Sequence, residues 1–119
     1  MNEDELVAWL AAIASPQRMR ILAALSHGSV HVSELARQVE MSRALLYLHL
    51  TKLEEAGFVV GHLELGADGK ALKYFEVVPF STVLDLQTVV GAVEGATANS
   101  AKTAQTAKPA KQSNTKGSN

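Results

Sequence analysis

Apolar positions recur along this chain with a spacing that changes twice, and each change marks a new kind of element. Leu6, Trp9, Leu10 and Ile13 stand three and four residues apart, which predicts a first helix from Glu3 to about Ala14 with one apolar stripe. Asn2 is suited to cap it, and Glu3, Asp4 and Glu5 complement the positive end of the helix dipole. Ser15-Pro16 opens a second helix, with proline at the position where a missing N–H costs nothing. Met19, Ile21, Leu22 and Leu25 are expected on its buried side, and His27-Gly28 is its stop signal. After a short segment over 30–32, Ser33 is the expected cap of a third helix, ELARQV, which would bury Leu35, Ala36 and Val39. The tight Glu40-Met41 connection leads to Ser42, a second capping residue, and to a helix ending near Ala56 with Gly57 just past it. Two helices joined by so short a turn form a helix-turn-helix.

The period then shifts from helical to alternating. FVVGHLEL and KALKYFEVV flank the turn GADG, and two β-prone runs around Asp-Gly predict a hairpin. A hairpin directly after the second helix of a helix-turn-helix is a wing. Pro79 breaks the return strand, and Ser81 to about Gly95 reads as a last helix with Val83, Leu86, Val90 and Val93 on one side. From Ala96 onward no large apolar residue occurs, so residues 96–119 read as a disordered, lysine-containing tail. The expected fold is mainly α with a small β-hairpin wing, a winged helix-turn-helix occupying residues 1–95.

Composition narrows the chemistry. The 119 residues include no cysteine, which excludes disulfides, thiolate metal sites and thiol switching. The chain starts acidic where a secretory signal would be basic, and no apolar run approaches a membrane span, so a cytoplasmic protein with no membrane partner is expected. The net charge of −1 hides a division. Residues 1–95 carry seven Lys/Arg against twelve Asp/Glu, a balance of −5, whereas 96–119 carry Lys102, Lys108, Lys111 and Lys116 with no acid, a balance of +4. Nucleic-acid binders usually carry a basic surplus, so the placement of the few cations matters more than their sum.

The order helix, helix, short strand, helix, helix, hairpin, helix resembles the ArsR family of winged-helix repressors. Three stretches carry the resemblance: SPQRMRILAAL at 15–25, VSELARQVEMSRALLYLHLTKLEEAGFV at 32–59, and ADGKALKYFEV at 67–77. It implies a homodimer whose first and last helices meet the partner, recognition helices in successive major grooves of double-stranded DNA, and ligand-controlled repression. Metal-sensing relatives use cysteines, or Asp and His groups on the last helix. This chain has no cysteine, residues 81–94 hold no histidine, and His27, His31, His49 and His62 show no helical i, i+4 pair. No metal and no cofactor are therefore expected, and the effector, ligand or protein, is left unidentified.

On a helical wheel over 43–56, Leu46, His49, Leu50 and Leu53 share the core side. Ala44, Tyr47, Leu48, Thr51 and Glu55 lie opposite, with Arg43 on the flank. Since the N-terminal part of a recognition helix meets base edges, the expected DNA contacts there are Ser42, Arg43, Ala44, Tyr47 and Thr51. Arg43 suits guanine O6/N7, Ala44 or Thr51 a thymine methyl, and Tyr47 either donates to DNA or leans on the wing. Lys70 and Lys73, after the wing turn, suit a phosphate or the minor groove, and Lys73 equally suits a solvated edge strand. The resemblance adds Arg18, placed to reach the DNA backbone or to pair with an acid. Leu6, Trp9, Leu10, Leu84, Leu86, Val90 and Val93 present more apolar surface than a domain this size absorbs, and they are the expected dimer interface. A sequence-specific regulator, acting as a repressor, is the function expected. The alternative is a winged-helix protein-interaction module without DNA binding, favoured by the acidic body and by Leu48 beside Glu54-Glu55. No catalytic motif is present, and an enzyme is not expected.

Overall fold

The computed structural model describes residues 1–101, with side chains through Gly95. Its helices are α1 (Glu3–Ile13), α2 (Pro16–Ala24), α3 (Val32–Val39), α4 (Arg43–Glu55) and α5 (Leu86–Ala101), and its strands are β1 (Val30–His31), β2 (Val59–Leu65) and β3 (Ala71–Val77). This is the winged helix-turn-helix order. The described residues form two compact units, Val7–Thr82 and a second made of Met1–Leu6 with residues 83–101.

The core of the first unit follows from the helical stripes. Ile21, Leu35, Leu46, Leu50 and Leu53 are sealed from solvent together with Phe58 and Phe75. Each such side chain stabilises the fold by roughly 1.5–3 kcal/mol relative to exposure, so α2, α3 and α4 are held by packing rather than by propensity. Met19, expected inside, is exposed instead. The inward stripe is Ile21 and Leu22 of α2 with Leu25 just past its end, Arg18 is in line with it, and one residue past Arg18 lies about 100° further around the helix. Trp9 joins Phe58 and Phe80 in an aromatic trio, its ring centroid 5.0 Å from Phe58 and 5.9 Å from Phe80.

Local chemistry sets the ends of the elements. The Oγ of Ser15 accepts from the amide of Arg18, so α2 begins where Ser-Pro predicts. For α3 the cap is His31 rather than Ser33: the helix starts one residue before Ser33, and His31 Nδ1 accepts from the Glu34 amide. Ser33 has become a helical residue whose hydroxyl is turned to Arg43. Gly57, with φ +86°, follows α4 in the left-handed conformation that glycine adopts at no steric cost.

The sheet has the order β1-β3-β2 and is antiparallel throughout. Val59 pairs with Val77 at one end of the hairpin and Leu65 with Ala71 at the other. Gly69, at φ +82°, closes the turn as Asp-Gly predicts, and Asp68 Oδ1 accepts from the Lys70 amide at 3.0 Å.

In the second unit α5 starts at Leu86, five residues after the expected Ser81. Asp85 is the stronger cap: its Oδ1 accepts from the Thr88 amide at 2.9 Å, which holds its carboxyl below the ordinary range. The helix continues through the alanine-rich segment to Ala101, past the expected boundary at Gly95. The remainder of the lysine segment, 102–119, lies outside the described residues.

Candidate nucleic-acid interface

The turn between α3 and α4 is built to present a helix start. Glu40 takes the left-handed conformation at φ 56°, and the Met41 amide returns to the Ala36 carbonyl at 3.0 Å. Ser42 then accepts the Leu45 amide on its Oγ at 3.1 Å, fixing the first turn of α4. Ala44, Tyr47, Leu48 and Thr51 are exposed on the side away from Leu46, Leu50 and Leu53, and Arg43, on the flank at the start of the helix, is exposed as well. That matches the face drawn from the sequence.

Two of these side chains are also steadied by the protein. Arg43 donates from Nη1 to Ser33 Oγ at 3.3 Å, which aims the guanidinium without neutralising it. The Tyr47 ring stands edge-on to Phe75 of β3, centroids 6.4 Å apart, so it leans on the sheet while remaining exposed. Leu48 is 65% exposed.

The wing supplies the second half of the site. Lys70 is exposed at the turn, whereas Lys73 is half-buried, its ammonium 5.5 Å from the centroid of the Phe75 ring. Its stem occupies the space left by Gly61: a Cβ there would come within 2.7 Å of Lys73 Cε and 2.8 Å of the Phe75 ring. A groove of about 180 Å³ between wing and helices is lined by Ser33, Arg43, Leu63, Leu72 and Lys73 among others. Recognition-helix cation and wing cation therefore border one cleft.

Arg18 takes a different place. Its Nε and Nη2 donate to the carbonyls of Ala12 and Ala11 at the end of α1, and Nη1 lies 3.2 Å from Nδ1 of His49. Because guanidinium only donates, His49 must accept on Nδ1 and is neutral. Burial, then the charges of Arg18 and Lys52, push the His49 pKa below its ordinary value. Arg18 thus ties α1 to the back of α4, a positioning contact formed by residues 31 apart that sequence spacing does not reveal. Arg37 on α3 is spent on Glu34, whose carboxyl is held at about 2 by hydrogen bonds from Arg37 and Gln38.

Of the expected interface residues, Leu6 is buried, Trp9 and Leu10 are half-buried, Val90 is half-buried, and Leu84, Leu86 and Val93 are exposed. Among the described residues, no three His, Cys, Asp or Glu side chains gather closely enough to hold a metal ion. No helix among them is long and apolar enough to cross a membrane.

A capped, outward-facing helix beside a lysine-bearing hairpin defines a winged helix-turn-helix of the transcription-regulator class. The family model described as bacterial regulatory protein, arsR family, matches residues 15–60. An uncharacterized HTH-type transcriptional regulator of Methanocaldococcus jannaschii is 32% identical over 89 residues, covering 75% of this chain and 93% of the relative. The chain belongs to the ArsR family of transcriptional regulators. Solved structures share the fold. NolR of Sinorhizobium fredii superposes with a TM-score of 0.56 at 25% identity, over 81% of this chain and 83% of that one. The homodimeric winged helix-turn-helix DNA-binding domain Mb0332 of Mycobacterium bovis gives 0.56 at 19% identity, over 84% and 82%. The transcriptional repressor BigR of Xylella fastidiosa gives 0.53 at 18% identity, over 88% and 90%.

Proposed function

We propose that this regulator is a sequence-specific repressor that binds double-stranded DNA as a homodimer, with α4 in the major groove and the wing on the adjacent backbone or minor groove. The observation that carries the reading is the free face of α4: Arg43, Ala44, Tyr47 and Thr51 stand exposed behind the Ser42 cap. Arg43 has donors left to fork onto guanine, Ala44 and Thr51 meet thymine methyls, and the start of α4 directs amide N–H groups at a phosphate. Lys70 and Lys73 hold the flanking backbone. Arg18 serves this interface from behind, by fixing α4, rather than by reaching DNA.

Dimerisation rests on the apolar residues of the terminal helices and of the segment just before α5, with Leu86 at 72% exposure and Leu84 also open to solvent. Two half-sites about 34–36 Å apart double the phosphate contacts, which is how a body of negative net charge holds a polyanion. The Mycobacterium bovis neighbour is a homodimer, and the Xylella fastidiosa neighbour is a repressor; both support the same assignment here.

Selection of bound duplexes from a random pool, followed by anisotropy titration of the selected and a scrambled duplex, tests the reading. The selected duplex is expected to bind more tightly, with affinity falling steeply as salt rises. Equal affinity for both sequences would remove sequence specificity, and no binding at low salt would remove DNA as the ligand. The exposed Leu48 would then point to the protein-interaction reading instead.

A further inference from the structure

The wing carries apolar surface that the fold does not use. Leu63 is 67% exposed and Leu65 is 78% exposed, both on β2 near the turn. Side chains alternate along a strand, so Leu63 and Leu65 share the side of Gly61, whose β3 partner Phe75 meets Tyr47 of the recognition helix. On that same side Leu63 is opposite Lys73, and Leu65 is opposite the small Ala71 beside Lys70. Asp68 is held in the turn by the Lys70 amide, and the acids of the two strands stand on the opposite face. Glu64 and Glu76 alternate to the other face, where both lie against His62, at 2.7 Å and 3.7 Å. The ribbon face turned toward α4 is therefore leucine and lysine.

Such a face is costly to leave bare. β2 is an edge of the sheet, and edge strands are ordinarily protected from pairing with other chains by charges, prolines or bulges. Leucines at this edge invite aggregation unless something covers them. Leu63 borders the cleft that holds the cations Arg43 and Lys73, and Lys70 stands at the turn beside Leu65, so the complementary occupant of this wing surface is a polyanion with an apolar interior. The minor groove of duplex DNA has that chemistry: phosphates line its rims, and base and sugar edges form its floor. Regulators that enter it frequently wedge apolar side chains between base steps, unstacking them and kinking the duplex.

We propose that Leu63 and Leu65 form an apolar wedge that the wing inserts into the minor groove next to the site read by α4, so that this regulator bends its DNA. Lys70 and Lys73 hold the rims while the leucines press on the floor. The inference rests on the DNA-binding reading and adds an indirect readout: flexible pyrimidine–purine steps under the wing are favoured although no polar group contacts them.

The test uses the full chain and a duplex of about 30 base pairs selected by the wild type from a random pool, long enough for a bend to be seen by end-to-end energy transfer. Leu63→Ser/Leu65→Ser is compared with Lys70→Ala, with thermal unfolding as a check on the fold. The double leucine variant is expected to unfold at the wild-type temperature, to bind about tenfold or more weakly with an unchanged salt slope, and to lose the bend. Lys70→Ala is expected to keep the bend and lower the salt slope by about one. A leucine variant that binds and bends like the wild type at every salt concentration overturns the wedge. So does one that becomes a monomer, since the leucines would then serve self-association. If the wild type itself binds no duplex, the DNA-binding reading fails first, an outcome distinct from either.

Discussion

His49 shows how much a single side chain of α4 depends on a distant one. Its Nδ1 accepts from Arg18, and protonation would replace that acceptor with a donor facing a guanidinium, with Lys52 close by. The folded pKa lies below the ordinary 6.5, so the native state binds fewer protons than the unfolded chain. The stability this gives is fully present above that ordinary value and is lost as pH falls through it toward the lower folded value. Urea unfolding between pH 8 and pH 5 is expected to show a loss on acidification that His49→Gln, which keeps a neutral acceptor, reduces; an equal loss in the variant would place the sensitivity elsewhere. Gly61 is the other residue-scale constraint. Lys73 can swing away from a new Cβ, but the buried Phe75 ring cannot, so Gly61→Ala is expected to cost about 1–3 kcal/mol in chemical denaturation.

At the scale of elements, the start of α4 is the joint on which the site turns. Ser42→Ala leaves the Leu45 amide without its side-chain acceptor and is expected to cost about 0.5–2 kcal/mol in chemical denaturation, with weaker DNA binding from a frayed first turn. A variant as stable as the wild type would show that packing alone holds this end. The pattern of apolar residues made α4 legible in the sequence, because Leu46, Leu50 and Leu53 fall on one stripe and the residues opposite are exposed. The Asp-Gly turn and the alternation around it marked the hairpin for the same reason: both are local signals. What escaped was set by competition or by distance. His31 displaced Ser33 as a cap because α3 begins earlier, and Asp85 with Thr88 offered α5 a better start than Ser81. The placement of Arg18 against α1 and His49 depends on three helices meeting, which no spacing along the chain encodes. The exposure of Leu63 and Leu65 was equally hidden, since alternating leucines in a strand ordinarily mark a buried face.

For the whole molecule, the proposed dimer and the proposed DNA recognition stand or fall together, since one half-site offers few cations to a polyanion. Leu86→Asp places a charge at an exposed apolar position of α5, where the folded chain tolerates it and a subunit interface does not. Sedimentation is expected to show a dimer for the wild type and a monomer for this variant, with affinity for a two-half-site duplex falling together with the dimer. A variant that stays dimeric would remove α5 from the interface.

If the exposed side of α4 reads base edges as proposed, Arg43→Ala removes a contact made to one sequence and not to another. Titrated against the selected duplex and a scrambled one, the variant is expected to lose about 1–3 kcal/mol on the selected sequence while its binding to the scrambled sequence changes far less. An equal loss on both sequences would make Arg43 a backbone contact only. No loss on either would show that α4 does not face the DNA.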